Sequence, residues 1–397
     1  MRWSSIILIL LLSQLVNCDP LDKTENEQRL KSCGKNIKSK VFKGREAAQS
    51  EAPWSVFFIY MMKPATEGEK SRATVCTGTI VSSRHILLAT HCIANLNMEK
   101  ARWEVDGKFD QANCKNDDYV ITDKEKLNRI MFQSNKQTIA RAPEKLTLVN
   151  ACLQRKPDKT TVYKNVTPQL YMDDFAIVDL YEELTFTSTA QMVCVAEDIS
   201  ANAVDTKLDY FGFGLNPPEE KNASEMTPEE ENTGVLRHET VHVTNNPSED
   251  YYFLATDKSQ KNVACEGDSG GGAIGVIKQR KTIIGVLSQT NCEDKDKRTG
   301  GIAKEQYASV GYYSEKICKN TGICKSEGEY EKYHPGYVKE QKPVRKPEDI
   351  QLPGSAGLPA QNGQGGGVQV VHAREPDSAI GKNFILIIAF VVFVFNF

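Results

Sequence analysis

Between Val41 and about Cys324 the apolar residues fall in short runs: Trp54 to Tyr60, Thr79 to Val81, Ile86 to Ala89, Asp174 to Leu180, Ala273 to Ile277 and Thr282 to Leu287. These runs are rich in β-branched and aromatic residues, and turn-forming residues separate them. Many short strands without alternating helices predict an all-β barrel or sandwich. One late stretch, Glu305 to Lys316, reads as a closing helix. The pattern differs at both ends of the chain. Ile6 to Leu12 is a short apolar core behind Arg2, and Val16-Asn17-Cys18 gives a small-residue cleavage site, so 1–18 reads as a signal peptide. Residues 19–40 are polar and charged and read as a pro-segment. From Lys325 to Ser378 Pro, Gly, Gln, Lys and Glu dominate. Such a segment buries too little apolar area to offset its ordering entropy and reads as a disordered stalk. Residues 379–397 form a hydrophobic tail, apolar throughout from Phe384 to Phe397.

Composition narrows the class. The chain has 397 residues, enough for one domain of about 200–250 residues plus tails. A net charge of −3, with no basic stripe, argues against nucleic acid as a partner. Removing Cys18 with the signal leaves Cys33, Cys76, Cys92, Cys114, Cys152, Cys194, Cys265, Cys292, Cys318 and Cys324. An even number in an exported chain implies disulfides, although counting does not give their connectivity. The sequons at Asn165 and Asn222 agree with export. The charge-free tail is short for a membrane-crossing helix, since fourteen residues span about 21 Å. Three readings of it stay open: a signal for a lipid anchor, a short membrane anchor, or plain secretion.

The chemistry-bearing residues lie in the central region. Cys265-Glu266-Gly267-Asp268-Ser269-Gly270-Gly271 surrounds one serine with small residues. A catalytic serine needs an exposed hydroxyl and two backbone N–H groups aimed at the developing oxyanion, and Gly267 and Ser269 are placed to supply those donors. It also needs a base, and the base an orienting carboxylate. His91, in Ala89-Thr90-His91-Cys92, follows the apolar strand Ile86 to Leu88, and Asp174 opens another buried strand.

These three segments, in this chain order, resemble the histidine, aspartate and serine motifs of the trypsin/chymotrypsin peptidases over about Cys33 to Cys324. The ending Val310-Gly311-Tyr312-Tyr313 through Cys318 and Cys324 is similar to the divergent trypsin-like group of nematodes. The resemblance implies two six-stranded antiparallel β-barrels with a C-terminal helix over 41–324, and a serine endopeptidase with His91, Asp174 and Ser269 as its triad. It needs no cofactor and no metal, and it acts on protein or peptide substrates. The resemblance further implies activation by another protease, which cuts after Lys40 so that the Val41 amine pairs with Asp268. It implies the disulfides Cys76–Cys92, Cys265–Cys292 and Cys33–Cys194, which leaves Cys114–Cys152 and Cys318–Cys324 as the simplest remainder. One usual bridge of the family is lost on both sides, at Leu208 and Gly275. Ser288 matches the serine that steadies the aspartate, while Gly272 and Gln289 depart from the pattern. At the specificity pocket the floor falls on Val263, and the walls fall on Thr290 and Gly300. A floor without a counter-charge predicts preference for a small or medium apolar side chain before the cleaved bond.

His238-Glu239-Thr240-Val241-His242 matches the zinc motif HExxH. Its surroundings alternate as a strand, on which residues four apart lie about 13 Å apart and cannot share one ion. The sequence therefore predicts a solvated strand face there. An alternative to the enzyme is a catalytically silent protein of the same fold that binds a partner at the cell surface. Its motivation is Gln289, Thr290 and the long segment between His91 and Asp174.

Overall fold

The computed structural model describes residues 20–35, 45–62, 72–97, 99–153, 172–217, 221–222, 225, 232–246, 251–259, 262–292, 304–338 and 369–370. The signal peptide, Lys40, Val41, Asn165, Gly300, the greater part of the stalk and the tail lie outside them.

The chain folds as two antiparallel β-barrels set side by side. The first contains β1 (Ser55–Met61), β2 (Arg72–Ile80), β3 (His85–Leu88), β4 (Asp118–Ile121), β5 (Ile130–Ser134), β6 (Gln137–Arg141), β7 (Lys145–Leu148) and β8 (Ala176–Asp179). Hydrogen bonds link them in the order β6-β5-β1-β2-β3-β8-β7-β4. β4, at one end of this path, and β5, next to its other end, are consecutive in the chain and are joined through one helical turn, Lys124–Leu127, which draws the two ends toward each other. The second barrel contains β9 (Lys207–Gly212), β10 (Arg237–Asn245), β11 (Tyr252–Thr256), β12 (Gly272–Ile277), β13 (Arg280–Thr290) and β14 (Glu305–Ser309). Its order is β10-β9-β12-β13-β14-β11, and β10 also pairs β11, which closes a six-stranded ring. Closure removes exposed sheet edges.

The longest strand shows how sequence sets packing. Along β13, Ile283 and Val286 join the core shared with the first barrel, whereas Ile284 and Leu287 fill the second barrel. Strict alternation cannot produce that split. On β12, Ala273 pairs Gly285 and Ile274 pairs Ile283, so Ile284 is an extra residue that resets the alternation. Past this bulge, Ser288 points the same way as Val286, toward the first barrel. Between the barrels, Trp54 meets Phe211 edge to face at 5.6 Å. Full burial of side chains of this size contributes about 1.5–3 kcal/mol each.

Three sequence expectations are corrected. Glu305 to Lys316 is not a helix: Glu305–Ser309 is the strand β14, buried at both faces, and the helix begins only at Ser314. Residues 325–338, expected as the start of a disordered stalk, are folded and carry a helix at Glu327–Tyr333 whose Tyr330 is buried. The HExxH segment does lie on a strand, β10, but His238 and Glu239 are buried rather than solvated. The two are consecutive and point to opposite faces, and both faces are covered: His238 packs on Phe211 and Glu239 lies beside Glu305. The pro-segment supplies α1 (Lys23–Ser32), started by a capping box between Asp22 and Glu25. Its start is tied to the C-terminal elements, since Leu21 N–H donates to Thr321 O and the Tyr330 hydroxyl donates to Leu21 O.

Five disulfides are present: Cys33–Cys194, Cys76–Cys92, Cys114–Cys152, Cys265–Cys292 and Cys318–Cys324. Among the described residues no helix is long and apolar enough to cross a membrane.

Candidate active site

His91 sits on the single 3-10 turn Thr90–Cys92 that ends β3, and the Cys76–Cys92 disulfide ties that turn to β2. Asp174 precedes β8, the strand that pairs β3 antiparallel. Strand pairing therefore brings residues distant in sequence to one end of the first barrel. The aspartate is held from several sides. Its neighbour Asp173 accepts hydrogen bonds from Asn150 Nδ2 at 3.1 Å and from the Tyr313 hydroxyl at 2.7 Å, and the Asp173 carbonyl accepts one from Trp103 Nε1. Phe175, on the other side, stacks on Tyr313 with ring centroids 4.5 Å apart.

Asp174 Oδ1 accepts the His91 backbone N–H at 2.9 Å, and Oδ2 lies 2.6 Å from His91 Nδ1. Oδ2 also accepts the Ser288 hydroxyl at 2.7 Å. Burial alone would push the Asp174 carboxyl up, but its interaction with the His91 imidazole and these donors holds it below the usual carboxylate range. A carboxylate on Nδ1 fixes the imidazole tautomer with its proton there and leaves Nε2 as the acceptor. Nε2 is buried and has no hydrogen-bond partner among the described residues.

Ser269 lies in the turn between Cys265 and β12, with its carbonyl anchored to the first barrel by the Thr77 N–H at 2.9 Å. The turn depends on Gly267, whose φ of +92° a side chain rarely adopts. Gly267 N–H and Ser269 N–H have no backbone acceptor among the described residues. Asp268, between them, turns inward. Its Oδ1 accepts Gly214 N–H at 2.7 Å and its Oδ2 accepts Cys265 N–H at 2.8 Å. A Cβ on Gly214 would lie 2.5 Å from the Asp268 carboxyl carbon, so only glycine admits this approach. No basic side chain lies within ion-pair distance of Asp268 among the described residues. Burial pushes its carboxyl up to about 6, against two backbone N–H bonds that pull it down.

Beside the serine turn, Val263 is half-buried against Leu215 and the Cys265–Cys292 disulfide. Thr290, at the end of β13, donates its hydroxyl to Ala264 O at 2.7 Å. Across the ladder from Thr290 stands Glu305, whose Oε1 accepts Ala264 N–H at 2.8 Å. Two side chains from facing strands thus hold the backbone of one residue, Ala264, one at its N–H and one at its carbonyl. Sequence reasoning missed Glu305 because it read that stretch as helix. Read as a strand, the alternation Glu305-Gln306-Tyr307 puts Glu305 and Tyr307 on one face, while the partner Thr290 follows only from the register with β13. Glu305 also accepts the Tyr307 hydroxyl and neighbours Glu239. Burial, with the nearby Glu305 carboxyl, pushes Glu239 well above the usual carboxylate range.

Two other groupings carry no site chemistry. Ser82, His85 and Asp179 repeat the residue types of a triad, with Ser82 Oγ 2.8 Å from His85 Nδ1, but all three are shut inside the first barrel. Cys318, Cys324 and His334 cluster closely, but both sulfurs are spent in a disulfide and cannot act as thiolate ligands. The second sequon residue, Asn222, is half-buried and donates Nδ2 to Glu225 Oε1 at 3.0 Å.

Comparison with known proteins sets this geometry in context. The model of the nematode trypsin-6-like family matches residues 3–324. CLIP domain-containing serine protease B9 of Anopheles gambiae is 22% identical over 240 residues, 60% of this chain and 54% of the relative. Serine protease ea of Drosophila melanogaster is 22% identical over 251 residues, 62% of this chain and 58% of the relative. The Spaetzle-processing enzyme of Drosophila melanogaster is 25% identical over 255 residues, 60% of this chain and 56% of the relative. The match spans little more than half the length of these curated relatives.

Proposed function

We propose that this chain, which belongs to the nematode trypsin-6-like family, is an exported serine endopeptidase with His91, Asp174 and Ser269 as its triad. The observation that carries the reading is the His91 imidazole clamped by Asp174 through Nδ1, with Nε2 left to accept a proton. Ser269 Oγ attacks the scissile carbonyl and gives its proton to Nε2. The new C–O bond forms as the carbonyl π pair moves onto oxygen, where the Gly267 and Ser269 N–H groups receive it. Collapse expels the amine, which takes the proton from His91. Water then repeats the sequence on the acyl-enzyme, releasing the acid and restoring Ser269. Asp174 orients the ring and offsets the imidazolium charge, and Ser288 holds Asp174.

Activation follows from Asp268. Cutting after Lys40 by another protease frees the Val41 amine, an ammonium that fits a buried carboxylate lacking a cation partner. Specificity follows from the Ala264 peptide. Val263 gives no charge, and Thr290 and Glu305 together shorten the pocket, which favours small side chains before the cleaved bond. Five disulfides support export. A fluorophosphonate probe tests the reading, because labelling requires an activated serine. The chain cut at Lys40 labels, and Ser269→Ala does not. Absence of labelling in the cut wild type would favour the silent, partner-binding alternative, which the space filled by Thr290 and Glu305 also suits.

A further inference from the structure

The helix α1 buries only two side chains, Asn26 and Arg29, and one of them is a cation. Arg29 is 5% exposed. Its Nε donates to Asn26 Oδ1 at 3.1 Å, and Asn26 Nδ2 in turn donates to Cys324 O. Nη1 is sealed from solvent without an acceptor among the described residues. Burial pulls the guanidinium down to about 10, Glu197 acts against that, and the neighbouring Arg280 adds to it. It therefore stays charged at neutral pH. A buried, incompletely paired charge is costly, and its persistence points to a missing counter-ion.

Arg29 lines a cavity of about 480 Å³ between α1, the 194–201 segment, the start of β13 and the C-terminal helices. Arg280 lines it as well, with Nη1 turned to Leu30 O, the last turn of α1. The remaining charged groups facing the cavity are Glu197, Asp198, Lys278, Lys325 and Glu329. Each acid among them is engaged elsewhere. Glu197 meets Lys278 at 3.9 Å, Glu329 accepts Lys325 N–H at 2.8 Å, and Asp198 accepts Ser200 N–H at 2.8 Å. Two guanidiniums close enough to repel each other thus share one cavity with no acid paired to either among the described residues.

We propose that this cavity is an oxyanion site, in which Arg29 and Arg280 together hold a carboxylate or phosphate group. Guanidinium suits both through paired N–H donors. The site lies on α1 and the second barrel and does not depend on the catalytic reading. The Cys33–Cys194 disulfide fixes α1 beside it, so an anion there clamps the helix to the barrel.

Isothermal titration calorimetry on the full, uncut chain tests this at constant ionic strength, with inorganic phosphate in one arm and tetraglutamate in the other. Saturable binding in either arm is expected, with affinity at least tenfold lower in both Arg29→Gln and Arg280→Gln. The arm that binds identifies the source of the oxyanion. Lys278→Gln changes a largely exposed cation and is expected to shift affinity less than twofold. If Arg29→Gln fails to fold, Arg280→Gln carries the test alone. No saturable binding in either arm, or binding that Arg280→Gln leaves unchanged, overturns the proposal.

Discussion

Replacing Asp268 by Asn isolates the cost of a buried carboxylate waiting for its cation. The folded group titrates at about 6 against a reference of 3.8. That difference corresponds to about 3 kcal/mol. A carboxyl raised in the folded state adds stability that is fully present below pH 3.8 and is lost as pH rises through about 6. Asn approximates the protonated acid in being neutral and keeping one acceptor oxygen, although its NH2, unlike a carboxyl hydroxyl, cannot accept the second backbone N–H. The two proteins should therefore unfold alike, to within about 1 kcal/mol, near pH 4. By pH 7 the variant should be the more stable by about 2–3 kcal/mol, a shift in urea midpoint on the order of 1 M. The assay is urea unfolding between pH 4 and 7 on the uncut chain, disulfides intact, with Ser269→Ala in both proteins to prevent proteolysis. His85, which burial pulls down, loses stability in the opposite direction but does so equally in both. Parallel pH profiles for the two proteins would refute the reasoning. In an otherwise wild-type background, the same substitution should leave the Lys40-cut protein inactive despite its stability, since the ammonium then has no anion to join.

Ser288→Ala removes the 2.7 Å hydrogen bond to Asp174 and should lower kcat by roughly tenfold, corresponding to about 1–1.5 kcal/mol, with little change in KM; steady-state peptide hydrolysis measures it. Glu305→Ala clears one of the two side chains bound to the Ala264 peptide and should raise the kcat/KM ratio of a Phe over an Ala substrate at least tenfold. An unchanged ratio would show that Glu305 lies outside the pocket. Phe58→Ala empties a fully buried core position and should cost about 3–5 kcal/mol in urea unfolding. An effect below 1 kcal/mol would contradict the packing described.

The class of fold and the segments that bring His91 beside Asp174 were legible in the order of residues. Short β-branched runs punctuated by turns can bury their apolar area only in closed or stacked sheets, and a glycine-framed serine, a histidine after one strand and an aspartate before another already suggest the proposed chemistry. Local pattern also placed the HExxH segment on a strand. It could not say that both faces of that strand are covered, because His238 packs on Phe211 and Glu239 lies beside Glu305, contacts that only the closed ring brings about. Glu305 was hidden for the same reason: its role comes from its register opposite Thr290, and register belongs to two strands at once. The bulge at Ile284, which turns Ser288 toward Asp174, leaves no mark in the order of residues. Arg29 reads in sequence as one more charge on a polar helix. Only the docking of α1 against the second barrel takes that charge out of water, where its cost makes it informative.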